Sequence, residues 1–377
     1  MKVDETIYRP GILERWGKSV LFSISKKRKQ NLTQHTGDTF QSLSNGIIFR
    51  GTALSFLVGF IPSFLFVWIA SISPQISFQF SAESILILSF HLLLIGFFTV
   101  IEFYLLFRIG LYETYLMAEY ANLELIEEPE LITPIPGMLT RIALEIPDPA
   151  IRLFGIDPYK TLNKRTVLLK TLLYKIKVMI SNIGAKVLLK AILGRTGLRM
   201  YIEYISAPIT GFWDAYVTYK ILLELRKRII SRKIAEKILI HLKENHSQIS
   251  NFGKQALLRA IANSIVFTKT FHPNFEYLLL KLVKEYSLEF DMDEMDDQQK
   301  FEICVSQLPN KEAKLTFQIF LIASCFDGKL TKEELELLPK LVSNFSEIEL
   351  NLTIQLSRLI QTGNLKESIA VVDKMLT

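Results

Sequence analysis

Apolar positions along this chain follow two regimes. From Gly51 to Ile72 it reads GTALSFLVGFIPSFLFVWIASI without a charge, and from Ile85 to Phe107 it reads ILILSFHLLLIGFFTVIEFYLLF, with only His91 and Glu102 ionisable. At about 1.5 Å per residue, either run is long enough for a hydrocarbon core of about 30 Å. Both are apolar on every face, which predicts two spanning helices joined as a hairpin in preference to a pair of buried core helices. Elsewhere the apolar period is that of an amphipathic helix. It predicts a basic helix over 164–194, with Leu169, Leu172, Ile176, Ile180, Ile183 and Val187 on one face, and another through GFWDAYVTYKILLELRKRIISRK. Helix then follows helix over 235–245, 252–269, 273–287, 298–308, 311–326, 331–344, 347–361 and 364–376, and no stretch sustains strand alternation.

The expected fold is all-α: an integral membrane protein with a two-helix transmembrane hairpin and a cytoplasmic α-helical bundle domain. Its divisions are a basic N-terminal segment (1–50), the hairpin (51–110, spans 51–72 and 85–107), a helix and Pro-rich connector (111–160), basic amphipathic helices (161–234) and a helical domain (235–377). The connector is marked by Pro129, Pro134, Pro136, Pro147, Pro149 and Pro158, with a short helix expected around Leu139–Leu144. A hydrophobic share of 49% with 26 Phe is high for a purely soluble chain and excludes a disordered one. Two Cys exclude a disulfide scaffold and a four-cysteine zinc site.

Charge sets the topology. Lys18, Lys26, Lys27, Arg28, Lys29 and Arg50 precede the first span and Arg108 follows the second, whereas the intervening SPQISFQFSAES has no Lys or Arg. The positive-inside rule then puts both termini in the cytoplasm, with Trp68 as an anchor near the outer end of the first span. About fifty polar and basic residues come before that span without a short apolar run and cleavage site, so the N-terminus is expected to be mature sequence. Ile12, Leu13, Trp16, Val20 and Phe22 lie at near-helical spacing ahead of a basic cluster, a pattern for a helix lying on an anionic leaflet. Net charge is +6, but residues 160–237 alone carry 17 basic against 4 acidic groups. Lys170, Lys175, Lys177, Lys186, Lys190, Arg226, Lys227 and Arg228 are therefore candidates for binding anionic lipid headgroups, with the solvated face of a bundle as the alternative. No helix-turn-helix, zinc finger or RNP signature points to nucleic acid.

Within the first span Ser55, Gly59 and Ser63 form a small-residue ridge that lets another backbone approach closely; the second span is the expected partner, a second copy of the chain the alternative. Pro62 invites a kink there. His91 and Glu102, eleven residues apart, share a helical face and are the intramembrane polar candidates. No GxxxxGK[ST], GxGxxG after a strand, HExxH, CxxC or GxSxG element occurs, so no enzyme is expected. Asp291, Asp293, Glu294, Asp296, Asp297 and Glu302 imitate a calcium loop, but Asp296 stands where an EF-hand needs Gly. His241 and Glu244 are too few to make a metal site.

The segment LIASCFDGKLTKEELELLPKL reads as a helix, a tight Asp327-Gly328 turn and a second helix opened by a Thr331-x-x-Glu334 capping box. It resembles the turn of TerB-like tellurite-resistance domains. That resemblance implies that Asp327 and Glu334, with Glu333, sit where the family presents carboxylates to a divalent metal; no other cofactor is expected. TKTFHPNFEYLLLKL echoes the segment upstream, aligning Glu276 with Glu334, but Lys269 and Thr270 replace the Asp and Gly. The order of parts, with GRTGLRMYIEYISAPITGFWDAYVTYKILLELR in the middle, also looks like an uncharacterised bacterial family of hairpin membrane proteins with a cytoplasmic helical domain, which implies the bacterial cytoplasmic (inner) membrane. The expected function is a membrane-anchored scaffold or adaptor whose helical domain binds a cytoplasmic protein partner or the lipid surface. The alternative is an oligomeric transport or pore-forming component with His91 and Glu102 lining its interior.

Overall fold

A computed structural model describes residues 9–28, 40–72, 82–148, 153–158, 160, 199–286, 295–341 and 347–377. Among them the regular structure is helical: α1 (Ile12–Arg28), α2 (Phe40–Ile72), α3 (Ala82–Tyr120), α4 (Ile135–Ala143), α5 (Arg199–Glu244), α6 (Asn251–Thr268), α7 (Pro273–Tyr286), α8 (Gln298–Ser306), α9 (Asn310–Ser324), α10 (Lys332–Leu341), α11 (Glu347–Thr362) and α12 (Leu365–Leu376). The amphipathic helix expected over 164–194, with Lys170, Lys175, Lys177, Lys186 and Lys190, lies outside the described residues, as do Asp291, Asp293 and Glu294.

The chain divides into two compact units. One comprises Met1–Asn45, Tyr115–Leu162 and Glu224–Thr377, the other Gly46–Thr114 and Asn163–Leu223. These divisions differ from the expected ones. The Pro-rich connector and residues 224–234 belong with the C-terminal helices, while the first part of α5 belongs with the hairpin helices.

The larger unit is a helical bundle with an ordinary apolar core. α6 packs against both α9 and α7, and Leu257, Ile261 and Ile265 of α6, Ile319, Phe320 and Ile322 of α9 and Leu278 and Leu282 of α7 are buried. Local chemistry sets the helix ends. Ser250, Asp297 and Asn364 each accept a first-turn backbone N–H, from Gly253, Lys300 and Glu367. Thr331 and Glu334 form the reciprocal capping box that opens α10. Gly363, at φ +90°, lets the chain reverse between α11 and α12, and its missing side chain leaves room for the Arg226 guanidinium. Ser231 Oγ donates to Phe326 O and Asn274 Nδ2 to Arg228 O, tying α5 to its neighbours through backbone carbonyls.

In the smaller unit α2 and α3 are both long and apolar enough to cross a membrane. α2 runs as one helix through Pro62, and α5 as one helix through Pro208.

Candidate functional site

The burial pattern of the smaller unit is inverted relative to a water-soluble bundle. Only 28% of the apolar window of α2 and 6% of that of α3 is buried, whereas the core helix of a soluble protein would be mostly covered. Leu54, Leu57, Ile61, Phe64, Leu65 and Trp68 of α2, and Leu86, Leu93, Phe97 and Val100 of α3, point outward. Buried instead are Ser55, Ser63, Glu102, Asp214 and Thr218. A polar seam inside an apolar exterior is the arrangement expected where the surrounding solvent is apolar.

The small-residue ridge finds a partner that its sequence spacing did not single out. Thr218 Oγ1 of α5 donates to Ser55 Oγ at 2.8 Å, and a side chain at Gly59 would collide with Asp214 and with the Thr210 carbonyl. Ser55 and Gly59 thus pack on α5, which corrects the expectation of the second span or a second copy of the chain. Ser63 is buried too. At the Gly51 end, Arg50 forms a bidentate pair with the buried Glu113 of α3, at 2.9 and 2.6 Å. His91 Nδ1 lies 2.8 Å from Ile87 O, one turn back in its own helix. Glu102 is 5% exposed. The two lie ~16 Å apart along the axis, too far for a direct contact.

In the larger unit, charges expected at a lipid surface are turned inward. Arg226 is 5% exposed and donates to Asn45 Oδ1 and Gln361 O. Lys227 pairs with Glu224 and reaches Asp327 O, and Arg228 pairs with Asp148 at 2.8 Å and with Glu224. These three side chains are spent on the fold, which corrects their assignment to headgroup binding.

A second charge cluster fastens the connector, and the sequence reading missed it. Arg232 pairs with Glu128 and Glu236 while its guanidinium stacks 3.2 Å above the Tyr277 ring. Lys281 bridges Glu128 and Glu130, and its hydrogen bond holds the Glu130 carboxyl down to about 2. Glu276 Oε1 accepts the backbone N–H groups of Ile132 and Thr133, although burial pushes its carboxyl upward. The available signal was the acidic run Glu127, Glu128, Glu130 set against the Tyr277-x-x-x-Lys281 spacing.

The turn that resembles TerB-like domains uses its carboxylates locally. Asp327 Oδ1 accepts Lys329 N–H at 2.9 Å, and Glu334 is engaged by its own cap. Burial, reinforced by Glu334, pushes the Asp327 carboxyl up to about 6. The Glu333 side chain lies outside the described residues, and among those described no three His, Cys, Asp or Glu side chains converge to hold a metal ion. Both thiols, Cys304 and Cys325, are buried and raised by that burial.

Against this geometry, comparison with known proteins adds no family: no family model matches the chain, and no curated protein or solved structure is similar to it.

His272 sits at the mouth of α7, where its Nδ1 accepts Asn274 N–H at 3.3 Å. Burial, helped by Arg228 and Lys227 and opposed by Glu224, pushes the imidazole down to about 3 from its ordinary 6.5. The folded chain therefore holds His272 neutral while the unfolded chain takes up a proton. Stability present above pH 6.5 is lost as the pH falls toward 3, at up to about 1.4 kcal/mol per pH unit. His272→Asn keeps the capping acceptor without the titration, so urea midpoints between pH 6.5 and 4 should flatten relative to the parent. Parallel slopes in the two proteins would remove His272 as the cause.

Proposed function

We propose that this protein is a non-enzymatic membrane anchor and adaptor. α2 and α3 cross the cytoplasmic membrane of a bacterium as a hairpin, and both termini and the larger helical unit lie in the cytoplasm, where that unit binds a protein partner. The observation carrying this reading is the outward-facing apolar surface of α2 and α3 around a buried polar seam. Burying one exposed Leu or Phe in lipid is worth about 1.5–3 kcal/mol, so a dozen such side chains hold the hairpin far more firmly than a surface-bound helix. Basic residues on the side of Arg50 and Arg108, against none between Ser73 and Ser84, support the orientation.

The test is alkaline carbonate extraction of membranes, followed by protease treatment of intact spheroplasts. The full chain should stay in the pellet, and external protease should leave the larger unit, residues 115–162 and 224–377, uncut. Release into the carbonate supernatant, or digestion of the C-terminal half from outside, would overturn the reading.

A further inference from the structure

From Ala207 to Thr218 the buried residues of α5 are small or polar, with Leu222 beyond them against Gly51, and the exposed ones are mostly large and apolar. Ala207, Gly211, Asp214, Ala215, Thr218 and Leu222 are buried; Ile209, Phe212, Trp213, Tyr216 and Tyr219 are 37–67% exposed. In water that arrangement would be reversed, because an exposed helix face in a soluble protein is polar. The contacts fix the depth at which this helix lies. Gly51 meets Leu222, Ser55 bonds Thr218 and Gly59 abuts Asp214, so α2 and α5 descend side by side in opposite directions with matched four-residue steps. Phe56 and Phe212 rings meet edge to face at 5.0 Å, and Gly211 sits against the Phe56 carbonyl. Gly59 is eight residues, ~12 Å, into the uncharged run that begins at Gly51, well inside a core of about 30 Å.

We propose that the segment of α5 from Ala207 to Leu223 is a third bilayer-immersed helix, with the Ile209, Phe212, Trp213, Tyr216 and Tyr219 face in contact with lipid acyl chains and the Asp214 carboxyl enclosed at the same depth as Gly59. This rests on α2 crossing the membrane. Hydropathy does not reveal the segment because Asp214, Thr210, Thr218 and Lys220 lower its average. The structure nevertheless buries Asp214 and Thr218 on the side of α2 and leaves Thr210 only half-buried, and the Lys220 ammonium lies over the Tyr216 ring near the Gly51 end, where a long side chain reaches the interface. A chain bound to the membrane only through α2 and α3 would leave this aromatic face in water; the register with α2 leaves acyl chains as its neighbour.

The native tryptophans supply the test. The full chain is reconstituted in vesicles of phosphatidylcholine and phosphatidylglycerol with or without bromine on the acyl chains. One variant keeps Trp68 alone (Trp16→Phe, Trp213→Phe) and another keeps Trp213 alone (Trp16→Phe, Trp68→Phe). Both should lose emission in brominated lipid to a similar extent and resist aqueous iodide. Tyr216→Trp in a chain otherwise stripped of Trp repeats the reading one turn further along the same face. If Trp68 is quenched by lipid bromine while Trp213 and the position-216 reporter are not, the third immersed helix is overturned and the hairpin stands. If Trp68 itself escapes the bromine, both fall.

Discussion

Gly211→Ala is expected to destabilise the protein by overpacking the contact between α2 and α5. An ideal Cβ at this position would lie 2.8 Å from the Phe56 carbonyl oxygen and 3.1 Å from two carbons of its ring. The carbonyl is bound into the middle of α2, so relief requires bending that helix or separating it from α5. Overpacking of this kind costs about 1–3 kcal/mol, and Gly211→Leu would exceed it. Separation would also cost the Thr218–Ser55 hydrogen bond at 2.8 Å, which has no water to replace it if the pair lies in lipid. The control is Gly96→Ala in α3, where no atom stands within 4 Å of the added carbon; there the helix should gain up to about 1 kcal/mol from the lost glycine entropy. SDS titration of the detergent-solubilised protein, followed by circular dichroism, reads both. Equal midpoints for Gly211→Ala and the parent would mean that α2 and α5 do not approach as closely as described.

What the sequence displayed and what it concealed follow from how local each signal is. The two apolar runs and the helices from Asn251 onward are properties of ten to thirty consecutive residues, and their ends are marked by caps such as Ser250, Asp297 and Thr331. The helices from Asn251 onward therefore begin and end close to where periodicity puts them, whereas α2 begins eleven residues before Gly51 and α3 runs thirteen past Phe107. The partner of the Ser55–Gly59 ridge is not local. Thr218 is 163 residues away, and its helix looks like the polar-aromatic start of a basic amphipathic segment until its buried and exposed faces are separated. Arg226, Lys227 and Arg228 read as a surface patch because three adjacent cations normally are one. Their partners Asn45, Gln361, Asp327 and Asp148 are distant along the chain, and no spacing rule connects them. Glu276 illustrates the limit of internal similarity. It aligns with Glu334, yet Glu334 caps its own helix while Glu276 holds the backbone of the connector. The same acid after the same kind of turn takes whichever backbone donors the tertiary fold brings within reach.

Arg141→Met should be the most damaging substitution in the larger unit, and a second substitution should repair most of the damage. Arg141 on α4 and Glu14 on α1 are 1% and 3% exposed, with Nη2 and Oε2 3.2 Å apart. α1 lies close to α4 here: a Cβ added at Gly137, one turn before Arg141, would stand in ordinary contact, 3.4–3.6 Å from the Lys18 side chain and Glu14 Oε1. Removing the guanidinium takes this buried counter-charge from a carboxylate enclosed by protein, at a cost of about 3–5 kcal/mol. Glu14→Leu alone takes this carboxylate from the buried guanidinium and should cost a comparable amount. Both ions also pay to leave water, so the Glu14→Leu, Arg141→Met double variant, apolar on both sides, should recover to within about 1–2 kcal/mol of the parent. Urea unfolding of the four proteins gives the coupling energy. Trypsin gives an independent readout, because α1 loosened from α4 exposes the backbone at Arg15 and Lys18 to early cleavage in both single variants and much less in the double one. If the two single costs simply add, Glu14 and Arg141 do not share a buried contact, and α1 is held to α4 by its apolar face around Leu21.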